Sequence, residues 1–266
     1  MWLQVEHVTT FSYDEPITDA YTELRLTPQE SGGQRRSAFR IDVSPTHVRV
    51  LSYIDHFGNE VRHFNVLEPH DRLVVTTASG VYTPARFESD RRLSLLERHD
   101  YLQPTSYASA VDSAALGASP PNGVSTRERA HALSNAVAEA LSYETGATDV
   151  HTTGLEALEL GRGVCQDFAH ILIGLCRREG IPARYVSGYL FDPDAAGAQA
   201  ASHAWVDAFS EEDGWISLDP THRREQDEHY VRVGVGRDYA DVPPTRGVYR
   251  GNATEELAVT VRVIAS

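Results

Sequence analysis

The apolar residues of this chain change their period partway along it, and that change limits the architectures open to it. From Trp2 to about Tyr82 they alternate with polar residues in short runs. Leu3 and Val5 are followed by Phe11, then by Phe39, Ile41 and Val43, then by Val48 and Val50, with turn residues such as Gly58-Asn59 between runs. Period 2 marks half-buried antiparallel strands, because successive side chains point to opposite faces. A small β-sandwich-like domain is therefore expected over residues 1–95. After Gly163 the period lengthens: Phe168, Ile171, Leu172 and Leu175 fall at i, i+3, i+4 and i+7. That spacing predicts an amphipathic or buried helix, ended by Gly180 and Pro182. With 266 residues, 41% of them hydrophobic, the chain is able to bury a sizeable core around such a helix.

Other elements follow from local signals. Ser119-Pro120-Pro121-Asn122-Gly123 punctuates a connector with short helices over 96–124. Ser125-Thr126-Arg127-Glu128 reads as a capping box opening a helix that runs to about Tyr143, and Thr153-Gly154-Leu155-Glu156 as a second one, opening a short helix that ends at Gly161. Strands are expected over 184–190, 202–209 and 215–218, with Glu211-Glu212-Asp213-Gly214 turning between the last two. Further strands are expected over 230–235 and 257–264. The organisation is an α+β core over 125–250, preceded by the β-rich domain and followed by a C-terminal strand in 251–266.

Charge excludes some functions. A formal net charge of −14 argues against nucleic acid and anionic membrane surfaces, since such partners demand clustered cations. No apolar run is long enough to cross a bilayer, and Met1-Trp2-Leu3-Gln4-Val5-Glu6 lacks the basic then apolar pattern of a secretory leader, so a soluble cytoplasmic protein is expected. The two cysteines, Cys165 and Cys176, fall on one predicted helix. Its rise would part them by roughly 16 Å, too far for a disulfide.

Chemistry concentrates in Gly161-Arg162-Gly163-Val164-Cys165-Gln166-Asp167-Phe168-Ala169-His170. A helix beginning at about Val164 or Cys165 sets the sulfur beside unpaired backbone N–H groups and the positive end of the dipole, and both favour thiolate. A lone cysteine there is more often a small buried hydrophobe. Residues 203 and 219 supply an independent argument. In a hairpin turning near Glu212 they lie opposite or one diagonal step apart, and their equal parity puts both side chains on one face. An aspartate bonded to one imidazole nitrogen orients the ring and leaves the other nitrogen for the thiol proton.

At this point the motifs are similar to a known family. GRGVCQDFAH, the Gly-Ile-Pro-Ala-Arg-Tyr-Val-Ser-Gly-Tyr-Leu segment at 180–190, Ser202-His203-Ala204-Trp205-Val206, and Gly214-Trp215 through Leu218-Asp219-Pro220-Thr221 resemble the transglutaminase-like superfamily. The likeness is closest to a bacterial branch assigned as cysteine proteases with a β-rich N-terminal domain, and Gly236 to Pro244 also looks like that branch. The resemblance implies a papain-like core, with a helix-borne cysteine against an antiparallel sheet. It implies Cys165 as nucleophile, His203 as general base then acid, and Asp219 as the orienting acid. The reaction would be thiolate attack on an amide carbonyl, loss of the amine with a proton from His203, and release of the thioester to water or a second amine.

The backbone N–H of Cys165 plus one further donor would meet the oxyanion, with Tyr143 and Gln166 as candidates for the donor or for substrate contact. Trp205 shares a face with His203 and either roofs the cleft or packs in the core. Asp167 and His170 read as structural: an acid suits the first helical turn, and His170 lies about 140° round the helix from Cys165. Arg237-Asp238-Tyr239 is expected to pin the returning strand, and the Asp192-to-Ala201 loop to border the cleft. The other histidines lack metal-ligand spacing, so no metal and no cofactor are expected. The leading expectation is a cysteine-dependent peptidase or amidase acting on a peptide or protein. Glutamine acyl transfer and a non-catalytic peptide-binding module are the alternatives. Nothing in the sequence speaks to oligomeric state.

Overall fold

The computed structural model describes residues 1–45, 48–89, 92–117, 123–193 and 202–266. The first 82 residues form five strands: β1 (Trp2–Leu24), β2 (Arg35–Ser44), β3 (Leu51–Ile54), β4 (Glu60–Val66) and β5 (His70–Tyr82). Next come helix α1 (Leu95–Asp100), a 3₁₀ turn at Ser113–Leu116, α2 (Thr126–Ala140), β6 (Ser142–Tyr143), α3 (Gly154–Leu160), β7 (Arg162–Gly163) and α4 (Cys165–Arg178). The chain continues through β8 (Ala183–Leu190), β9 (Ser202–Ser210), β10 (Gly214–Asp219), β11 (Arg224–Glu225), β12 (Tyr230–Gly236), β13 (Thr245–Arg250) and β14 (Glu255–Ala265).

The long strand β1 organises the N-terminal layers. Its first half, through Ser12, pairs with β5 on one side and β14 on the other, and its second half pairs with β4 and β13. The register breaks between Ser12 and Ile17, and Asp19 takes a positive φ of 49°. That bend lets one strand serve both sheets of a sandwich, which closes on Phe11, Ile17, Leu24, Phe64, Val66, Leu73 and Val75. The expected β-sandwich-like domain is therefore present, and the chain's last two strands, β13 and β14, complete it. β13 falls in the 125–250 span read as core; alternation along a strand identifies the strand but not its partner.

The core is a five-stranded antiparallel sheet, ordered β11-β10-β9-β8-β12. Helix α4 lies against β8 and β9, with α2 and α3 packed beside it. Every α4 residue from Gln166 to Arg177 is buried, so this helix is wrapped on all sides. Ile171, Leu172, Ile173 and Leu175 meet Leu133 and Val137 of α2 and Ala204, Val206, Ala208, Ile216 and Leu218 of the sheet in one cluster. The sandwich buttresses this sheet from β12. Leu3, Val5, Val81, Val261 and Val263 pack on Tyr189, Val231 and Val233, and the Asn59 side chain both accepts from the Val235 amide and donates to its carbonyl at 2.8 Å each.

Both capping boxes form as expected, at Ser125/Glu128 and Thr153/Glu156, and α3 stops at Gly161 with φ 65°. One boundary differs. Helix α2 was expected to reach about Tyr143 and ends at Ala140, because Leu141 turns extended at φ −117° and ψ 143°. Ser142 and Tyr143 then pair in parallel with Arg162 and Gly163. This strand pairing draws Tyr143 alongside the turn that precedes Cys165. Among the described residues no helix is long and apolar enough to cross a membrane.

Candidate active site

Cys165 opens α4, with Val164 as the N-cap in extended conformation. Val164 has no polar side chain to cap the helix, and Asp167 compensates: its Oδ2 accepts from the Val164 amide at 2.8 Å and from Thr148 Oγ1 at 2.6 Å. Gly163 is required here, since a Cβ at that position would collide with the Asp167 carboxylate. The amides of Cys165 and Gln166, in the first turn, have no carbonyl one turn back to bind. Among the described residues no loop or turn carbonyl binds either amide, which suits them to meet an anion beside the sulfur, as an oxyanion hole demands. Cys165 is partly accessible, whereas Cys176, one face along the same helix, is fully buried and its thiol is pushed up to about 12 by that burial.

His203 stands near the start of β9 and Asp219 ends β10. The hairpin register pairs Leu218 with Val206, which sets Asp219 one diagonal step from His203. Their side chains bond, Nε2 to Oδ2, at 2.7 Å. Both are buried: His203 is 8% exposed and Asp219 is not exposed at all. Burial alone would depress the imidazole. The charge of the Cys165 side chain and its hydrogen bond, with the bond to Asp219, instead raise His203 to about 10. Burial would likewise raise Asp219, but hydrogen bonds from His203 and His222 hold it well below the usual carboxylate range. With Nε2 committed to Asp219, Nδ1 is the nitrogen left for Cys165, whose side chain is near enough to act on the ring.

More donors converge on Asp219 than the sequence revealed. His222 Nδ1 donates to Oδ2 at 2.8 Å and Tyr230 OH to the same oxygen at 2.7 Å, while the amides of Thr221 and His222 bind Oδ1 at 2.9 and 3.2 Å. Arg224 Nε in turn donates to Tyr230 OH at 2.9 Å. The amides follow from the Asp-Pro-Thr-His turn, a local signal. Tyr230 arrives from β12, across the sheet, and no spacing announces it.

The remaining expected residues take varied positions. Tyr143 is 55% exposed, and its phenol is raised by partial burial and by the neighbouring Cys165 charge. Gln166 is buried, with its Nε2 donating to the Val150 carbonyl at 3.3 Å, so its donor is engaged by the 144–152 loop. Trp205 lies beneath His203 and does not roof the cleft: it is fully buried, stacks on the imidazole at 6.0 Å between centroids, and donates to Gln226 Oε1 at 3.1 Å. A ring at even parity with His203 is carried inward because β9 is buried on both faces from His203 onward. Arg237 forms a two-pronged pair with Asp241 at 2.9 and 3.0 Å, in keeping with a pinning role. Of the loop expected to border the cleft, residues 194–201 lie outside the described residues.

Among the described residues, His203, Asp219 and His222 are close enough to share a metal ion, their ligand atoms lying within 4.8 Å of one another. Linear spacing could not have disclosed this group, which folding assembles. Its atoms already satisfy each other: both imidazoles donate to the one carboxylate. That arrangement supports proton transfer at His203 without an added ion.

Comparison with known proteins sets this geometry in context. Residues 114–220 match the family model described as the transglutaminase-like superfamily, and residues 3–82 that described as the bacterial transglutaminase-like N-terminal region. An uncharacterised protein of Mycobacterium leprae is 38% identical over 99% of both chains, and one of Mycobacterium tuberculosis 33% identical over 98% of this chain and 92% of its own. A protein-glutamine gamma-glutamyltransferase of Pseudomonas aeruginosa is 36% identical over a shorter stretch, 34% of this chain and 15% of that one. A crystal structure from Cytophaga hutchinsonii, provisionally assigned as a cysteine protease, superposes with a TM-score of 0.78 at 20% identity, covering 100% of this chain and 91% of that one.

Proposed function

Since this chain belongs to the transglutaminase-like superfamily, we propose that it is a cysteine-dependent amide-bond hydrolase, a peptidase or amidase acting on a peptide or protein in the cytoplasm. The observation that carries the reading is the buried bond between His203 and Asp219, with Cys165 as the imidazole's other partner. In this mechanism His203, held protonated by the carboxylate behind it and the sulfur before it, keeps Cys165 as thiolate. The thiolate attacks the amide carbonyl, and the C–N bond breaks as His203 gives its proton to the leaving amine. Neutral His203 next takes a proton from water, whose oxygen attacks the thioester carbonyl and expels the Cys165 thiolate. The Cys165 amide meets the oxyanion in both steps, with exposed Tyr143, whose phenol feels the Cys165 charge, as the proposed second donor. No step calls for a metal or cofactor.

A second reading, transfer of a glutamine acyl group to an amine, draws support from the stretch shared with the Pseudomonas aeruginosa enzyme. The two differ only in whether water or an amine takes the thioester. Incubating the protein with a peptide library and a labelled primary amine, and reading products by mass spectrometry, separates them: new termini or deamidated glutamines are expected, and incorporated label would favour transfer. The shared premise is tested first, by timed iodoacetamide labelling near neutral pH. Cys165 is expected to alkylate at least ~100-fold faster than buried Cys176, whose thiol stays protonated. Equal rates would leave a non-catalytic module as the better reading.

A further inference from the structure

We propose that His222 is a positioning residue of this site: a second imidazole that holds the Asp219 carboxylate in the orientation His203 requires and stands between it and water. The inference rests on the thiolate reading above and adds a group to it. Three side chains donate to Asp219 Oδ2, namely His203, Tyr230 and His222, at 2.7, 2.7 and 2.8 Å. His203 and Tyr230 are buried, and Asp219 is wholly so, whereas the His222 side chain is 43% exposed. His222 is thus the member of the set that faces solvent. Its ring crosses that of His203 edge to face, 5.0 Å between centroids and 70° between planes.

The consequence is electrostatic. A carboxylate exerts most pull on an imidazolium when its surroundings are dry. With the His222 ring in place, Oδ2 is closed on its open side by a donor. Without it, water reaches the oxygen, competes for its lone pairs and screens its charge from His203. The charged and titratable groups facing His222 are Asp219, His203 with Cys165 beyond it, and Tyr230 with Arg224 behind. Among the described residues, the hydrogen bonds of His222 all run to Asp219, so its influence on the sulfur passes through that residue. The turn itself should survive substitution, because Oδ1 is bound by backbone amides that any side chain leaves in place.

The test needs no substrate. Iodoacetamide alkylation of Cys165 is followed from pH 5 to 10 in the intact protein, in wild type, His222→Ala and His222→Asn, with circular dichroism to compare folds. Wild type should show a neutral plateau from the thiolate–imidazolium pair. His222→Ala should lower that plateau about tenfold, the order expected when a hydrogen bond to a charged group is lost. The same variant should match wild type within about twofold at pH 10, where the thiol ionises without help. The asparagine amide, set near the lost Nδ1, should restore most of the plateau. A plateau unchanged in His222→Ala overturns the positioning role. So does a loss that is equal at every pH and unrelieved by asparagine, since that is a fold defect. Absence of a plateau in wild type overturns the thiolate reading itself, and the inference with it.

Discussion

Two histidine–aspartate sets lie in the same core and behave in opposite ways. His203 and Asp219 sit at the ends of facing strands; His170 and Asp167 share a face of α4. All four side chains are buried. Yet His203 is raised to about 10 while His170 is lowered to about 3, by burial first and then by the charge of Arg177. Asp219 is held down by its donors, whereas burial raises Asp167 despite bonds from Thr148 and Val164. The difference lies in partners. Both oxygens of Asp219 are served, but Asp167 Oδ1 and His170 Nδ1 are buried with no partner among the described residues. His170 Nε2 accepts from the Tyr239 amide at 3.2 Å, so its proton resides on that unpaired Nδ1, between the rings of Tyr107 and Tyr185 at 5.2 and 5.3 Å. Burial without a charge partner makes a histidine inert, and burial between a thiol and a carboxylate makes it cationic.

The sharpest way to break this comparison is to delete each histidine and measure chemistry. His203→Ala should lower turnover, on whatever amide substrate the product screen identifies, by about 10³-fold or more, since the proposed base, acid and counter-charge of the thiolate are lost together. Asp219→Asn should approach that loss: an amide can bond the ring but brings no charge to support the imidazolium. If His203→Ala retained more than about a tenth of wild-type turnover, His203 would not be the group that moves the proton.

The contact between His203 and Asp219 was legible in the sequence for a geometric reason: hairpin register and parity are local, so residues 203 and 219 could be brought together before any fold was known. Helix starts at Ser125 and Thr153 were legible because capping is written within four residues. What stayed hidden depended on distant partners. Tyr230 reaches Asp219 only because β12 crosses to the far side of the sheet beside β8. The end of α2 was misplaced because Ser142 and Tyr143 find a strand partner twenty residues on. Trp205 was ambiguous because parity gives the face of a strand but not whether that face is covered.

The contrast should also appear in stability, with opposite signs. His170 in the folded chain declines a proton that the unfolded chain accepts between its ordinary value of 6.5 and about 3. Its contribution is complete above about pH 6.5 and is lost as pH falls through that window. His203, raised from 6.5 to about 10, retains a proton that the unfolded chain releases. Its contribution is complete below about pH 6.5 and is lost as pH rises toward 10. Urea midpoints across pH 4 to 9.5 should therefore show an acid limb that flattens in His170→Phe and, above the ordinary thiol value of about 8.5, where the proton kept by His203 is no longer offset by the one the proposed Cys165 thiolate has lost, an alkaline limb that flattens in His203→Phe. Each change in slope is bounded by about 1.4 kcal/mol per pH unit, the value for one proton. Limbs unchanged in both variants would mean that the two environments do not differ as described.

The smallest effect is the most discriminating about role. His170→Phe fills nearly the same volume between Tyr107 and Tyr185, removes the unpaired Nδ1–H, and deprives the Tyr239 amide of its acceptor. Losing the acceptor costs about 1–3 kcal/mol, and relieving the orphaned donor offsets part of it. The net change at pH 7 should thus be a modest destabilisation, read as a small drop in urea midpoint. Neutral-pH alkylation of Cys165 should stay within about twofold of wild type, because nothing that sets the proposed thiolate–imidazolium pair has changed. A tenfold fall in alkylation with the fold intact would place His170 in the chemistry after all and dissolve the distinction between the two sets.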